Sequence, residues 1–191
     1  MKAVVLAAAL SVGLGSSAMG VVVYDESVFG EFPSDHLNPT HVNVVTGTST
    51  ILLSAGDGDR DFFDITVAPG TQLDSIILAN FSTFDTAFMA MMNGSVFTVD
   101  PDAPDVGQLL GWTHMGPFSV PVGGDLLDQM GQAPGAIGFT PPLPAGNYSF
   151  WVQQLNEQTD MAFDFHISVV PGPGAFAAAG IVALAGFRRM R

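Results

Sequence analysis

Apolar and polar residues alternate with a period of two along most of this chain. In "MAFDFHISVV", Met161, Phe163, Phe165, Ile167 and Val169 alternate with Ala162, Asp164, His166 and Ser168. Successive side chains of a strand point to opposite faces, so this spacing predicts a strand with one buried side. "GNYSFWVQQL" does the same, with Tyr148, Phe150 and Val152 on one face and Ser149, Trp151 and Gln153 on the other. In "DFFDITVAPGTQLDSIIL", Phe63, Ile65 and Val67 share a face, and Asp61, at the same parity, falls at the strand mouth. "APGT" then turns the chain into a return strand from Leu73 to Leu78. "HVNVV", "TSTILLS", "TAFMAMM" and "SVFTV" read as further strands. "GDLLDQMG", near Asp125, is the one stretch with a helical pattern, inside a long connection. Strands this numerous, with so little helix, predict an all-β fold: an antiparallel β-sandwich or jelly roll, each sheet buried on one face and wetted on the other.

The alternation fails at both ends. Residues 1–20 carry one cation, Lys2, then an apolar run from Ala3 to Leu14 and small residues at Ser16, Ser17, Ala18 and Gly20. That layout predicts a secretory signal helix, cut after Gly20 or Ala18. Residues 169–191 hold Pro171-Gly172-Pro173, an apolar run over 174–187, and Arg188, Arg189 and Arg191. As a helix the run would reach about 21 Å, short of a hydrocarbon core near 30 Å. It therefore predicts transient membrane association, with the arginines held on the cytoplasmic side. One domain, 21–168, remains between the ends.

Charge separates that domain from its flanks. All eighteen acidic residues lie between Asp25 and Asp164, against Arg60 as the single basic one, a formal −17 for the segment. A surface of this sign repels phosphate backbones and excludes nucleic-acid binding. The chain has no cysteine, so disulfides and thiolate metal sites are excluded as well.

Candidate chemistry is sparse. "DGDRD" sets Asp57, Asp59 and Asp61 at alternate positions, as in calcium loops, but Phe62 and Ala68 stand where an EF-hand needs Gly and Glu. A shallower calcium site, completed by Asp100, Asp102 or Asp105, is one reading; solvated turn aspartates are the other. His36, His41, His114 and His166 lack the spacing of a zinc helix. There is no G-x-S-x-G elbow and no nucleophilic cysteine. Trp112 and Trp151, with Tyr148, are candidates for stacking on sugar rings if exposed together, and core residues otherwise.

Pro171-Gly172-Pro173, Ala175–Phe187 and the terminal arginines together resemble a PEP-CTERM sorting signal, with Gly172 where that family usually has Glu. The resemblance implies export by the secretion machinery, recognition by an exosortase-type membrane protease, and delivery to the cell surface or extracellular matrix. The stretch from Ala55 to Val169, through "GDGDRDFFDITVAPGTQLDSIIL" and "LPAGNYSFWVQQ", resembles the bacterial pre-peptidase C-terminal β-sandwich. That likeness implies an accessory module without catalytic machinery. The expected function is a non-catalytic structural or adhesive surface protein. The alternatives are a polysaccharide-binding module, with or without calcium, and a small secreted hydrolase.

Overall fold

Among the described residues, nine strands carry the alternation into two sheets. In chain order the elements are β1 (Val21–Asp25), α1 (Glu26–Phe29), β2 (Thr40–Val42), β3 (Gly47–Ala55), β4 (Arg60–Val67), β5 (Thr71–Phe81), β6 (Ala87–Asn93), β7 (Gly111–Met115), α2 (Leu126–Gly131), β8 (Gly146–Gln153) and β9 (Thr159–Val169). The structure, a computed structural model, describes residues 20–172. The expected signal helix, the apolar run over 174–187, Pro173 and the three arginines lie outside the described residues. Pro171 and Gly172 are exposed just beyond β9. Among the described residues no helix is long and apolar enough to cross a membrane.

One sheet runs β1-β3-β9-β5 and the other β2-β4-β8-β6-β7. From β1 to β6 every connection crosses from one sheet to the other, so "APGT" arches over the sandwich and its return strand, β5, pairs with β9. This crossing corrects the expectation of wholly antiparallel sheets. β1 lies parallel to β3, and β2 parallel to β4, because each pair is joined through a strand of the opposite sheet.

The alternating residues meet where expected. Phe63 and Phe150 stack at 5.0 Å on the inner face of the five-stranded sheet, and Phe165 of the other sheet meets both edge-on, at 6.2 and 5.5 Å. All three are wholly buried. Such geometry adds about 0.5–1.5 kcal/mol per pair to the area buried.

The outer face of the five-stranded sheet is not wetted, which is a second correction. Phe62, Ala90, Met92 and Trp151 are buried there beneath Phe97, Val99 and Leu109. "SVFTV" is thus no strand but part of a cover, residues 94–110, laid across that face. The cover's apolar positions mimic strand alternation because they too have one side buried. Conversely "GWTHM", not among the expected strands, forms edge strand β7. The helical turn near Asp125 is present as α2, and α1 adds a second, four-residue turn. α2 packs close on β7: a Cβ at Gly111 would stand 2.4 Å from the Met130 carbonyl oxygen.

Truncating the ring that both sheets share tests this packing. Phe165→Ala should lower unfolding free energy by about 3–5 kcal/mol, read as an earlier midpoint in urea. A loss below about 1 kcal/mol contradicts the inter-sheet contact.

Candidate functional site

Two regions concentrate chemistry: the acidic end of the sandwich and the covered face of the five-stranded sheet. The acidic end is built on the arch between β3 and β4. There Asp57 adopts φ 50° and Gly58 φ 84°, left-handed conformations that suit a tight turn, and the Asp57 N–H donates to the Asn156 carbonyl at 3.0 Å. The expected trio does not converge. Asp57 is exposed in the turn, and Asp59 Oδ1 accepts from the Arg60 N–H at 2.8 Å. Asp61 points inward at core parity and is 0 % exposed. Nor do the proposed completing acids join them. Asp102 pairs with Arg60 at 2.7 Å, Asp100 accepts from the Asp102 N–H, and Asp105 caps a 3₁₀ turn over 106–108.

Three other carboxylates do come together. One oxygen each of Glu26, Glu31 and Asp61 lie within 4.8 Å of one another. Glu26 starts α1, Glu31 follows it, and Phe32 anchors that segment by stacking on Tyr24 at 4.2 Å and on Phe63 at 5.1 Å. Glu26 is held by two backbone donors: Oε1 accepts from the Phe32 N–H at 3.0 Å and Oε2 from the Ser54 N–H at 2.6 Å. Neither oxygen of Asp61 has a hydrogen-bond partner. Sequence reasoning missed Glu26 and Glu31 because tertiary packing alone brings them to Asp61. The available signal was Asp61 itself, a carboxylate at core parity in an aromatic strand.

Burial dominates the electrostatics here. It pushes Asp61 up to about 9, helped by the negative charges of Glu26, Asp59 and Glu31. Burial likewise lifts Glu26 to about 7, against the pull of its two backbone donors. Glu31 is also raised, by burial and then by Asp59.

On the covered face, cross-strand register sets Phe62 beside Trp151, Trp151 beside Ala90 and Ala90 beside Trp112. Small Ala90 thus separates the two indoles. Trp151 is 4 % exposed, packed against Phe88 at 4.9 Å and against Phe62 and Phe97 at 5.9 Å. It is a core residue, and the expected platform of two tryptophans does not form. Tyr148 faces the opposite, inner side. Trp112 is half-buried, with its Nε1–H donating to the Pro134 carbonyl at 3.3 Å. Exposed His114 meets its ring edge-on at 5.5 Å. These two residues form a ridge shared by two clefts. One, of about 600 Å³, is lined also by Thr113, Gln129 and Gln132; the other, of about 330 Å³, by Phe88, Val106 and Leu109.

Neither region assembles acid–base machinery around a histidine. Asp125, the carboxylate in the His114 cleft, accepts from the Ile76 and Leu127 N–H groups as the cap of α2. His41 Nδ1 lies 2.8 Å from Asp64, and Ser149 is opposite Asp64 in register, so the acid sits between histidine and hydroxyl. His36 bonds the Phe97 carbonyl, and His166 bonds Thr48. Comparison with known proteins returns no matching family, curated protein or solved structure.

The acidic end makes a signed prediction for the chain in chelator. Both raised carboxyls bind protons more tightly folded than unfolded, so their contribution favours folding at low pH and is lost as pH rises. For Glu26 the loss runs from its ordinary value to about 7, and for Asp61 to about 9. Melting temperature in EDTA should therefore fall from pH 5 to 9, and Asp61→Asn should flatten the decline. A flat wild-type profile contradicts the assignment.

Proposed function

We propose that this chain is an exported, non-catalytic β-sandwich that adheres to polysaccharide at the cell surface or in an extracellular matrix. The observation that carries the reading is Trp112, partly exposed on the ridge between two clefts. An indole face takes the C–H face of a sugar ring, and side-chain amides satisfy its hydroxyls. Gln129, Gln132 and His114 stand beside the ring to do so. Trp112 alone carries this role; Trp151 is sealed in the same sheet face two strands away, beyond Ala90.

Charge narrows the ligand. A domain with eighteen acids and one arginine repels anionic glycans, so the fitting ligand is a neutral polysaccharide. Export and sorting rest on the sequence: the signal-like residues 1–20 and the PEP-CTERM-like tail through Pro171, Gly172 and Pro173 to Arg188, Arg189 and Arg191. An exosortase-type protease is the partner this tail would engage.

Trp112→Ala should weaken retardation in gels containing neutral polysaccharide by roughly tenfold or more, while Trp112→Phe keeps most of it. Equal mobility of wild type and Trp112→Ala across neutral glycans overturns the adhesion reading. The sorting reading is separable: truncation after Val170 should abolish surface fractionation, and an unchanged location contradicts it.

A further inference from the structure

The unpartnered Asp61 points to a ligand of a different kind at the acidic end. We propose that Glu26, Glu31 and Asp61 bind a calcium ion that clasps the 26–32 segment onto the mouth of the sandwich. The inference is independent of the polysaccharide reading, whose residues lie on another face.

Two observations carry it. The first is convergence: three carboxylates from two separate stretches of chain bring oxygens within 4.8 Å of one another. The second is the state of Asp61, wholly buried and aimed into that cluster with neither oxygen hydrogen-bonded. A buried polar group without a partner costs free energy, and ionising the three carboxyls together adds mutual repulsion. Arg60, the domain's one arginine, gives no relief, because it pairs with Asp102. A divalent cation satisfies both oxygens of Asp61 and neutralises the cluster at once.

The donor set selects calcium among cations. All donors are hard carboxylate oxygens, with no histidine or thiolate to favour zinc. Two free oxygens on one aspartate suit the bidentate, irregular coordination that Ca²⁺ accepts; Mg²⁺ demands a near-ideal octahedron and retains water. Glu26 keeps a lone pair on each oxygen beyond its bonds to Phe32 and Ser54, so ligation does not break them. Glu31 is exposed and provides the route of entry. The ion then links α1, which follows an edge strand of one sheet, to β4 of the other. In a chain with no cysteine, it supplies the cross-link that a disulfide supplies elsewhere.

The test is a titration of the full chain with calcium chloride after chelator treatment, followed by calorimetry and by thermal melting. One saturable equivalent should bind, and melting temperature should rise by roughly 5–10 °C at hundredfold excess over Kd. Glu31→Gln, at an exposed position expected to fold, should weaken binding at least tenfold. Asp61→Asn should abolish the melting shift, and Asp57→Asn should leave both readouts unchanged. Absence of calcium binding up to millimolar concentration overturns the proposal. So does binding that survives Glu31→Gln and Asp61→Asn intact, or that is lost in Asp57→Asn.

Discussion

Burial of the five-stranded sheet on both faces is the constraint from which the rest of the molecule follows. The inner face packs Phe63, Phe150 and Val152 against Phe163 and Phe165, as any sandwich must. The outer face takes a second apolar layer, with Trp151 sealed under Phe97, Val99 and Leu109. Water is thereby excluded from both sides of β4, β6 and β8. The cover seals Trp151 but leaves Trp112 partly exposed and His114 exposed at the edge strand, on the ridge between two clefts. The larger candidate cleft lies between that edge and the connection over 119–134, and the smaller one is bounded by cover residues Pro104, Val106 and Leu109.

The same constraint explains the acidic end. A strand buried on both faces offers few places for a charge, yet β4 begins with Arg60 and Asp61. Arg60 turns to the outer side and reaches Asp102. Asp61 has the inner parity and faces the segment that closes the mouth, where Phe32 fills the apolar part and Glu26 and Glu31 the polar part. Apolar contacts set the position of this segment, and the carboxylates have to accommodate it. Their raised proton affinity is the electrostatic consequence of that order of importance.

Legibility in the sequence divides along physical lines. The inward residues of β4, β8 and β9 were readable because a period-two pattern needs only local geometry, and so was the helical turn near Asp125, whose bond to the Leu127 N–H is local. What could not be read needs a partner from elsewhere in the chain. "SVFTV" alternates like a strand, and only the sheet beneath it shows that it is a lid. Trp112 and Trp151 look equivalent until register places one on the edge strand, partly exposed, and the other under Phe97. Parallel edges arise from arches between sheets, which a list of strands does not contain. Asp57, Asp59 and Asp61 look like a loop trio, but strand parity turns Asp61 inward, towards acids about thirty residues upstream.

Two tryptophans on one sheet face meet unequal fates, and acrylamide quenching of their fluorescence tells them apart. Two populations are expected, one more readily quenched and one protected, with Trp112→Phe leaving only the protected, blue-shifted component. A single, uniformly accessible population, or a protected component that vanishes with Trp112 in place of Trp151, contradicts this unequal burial.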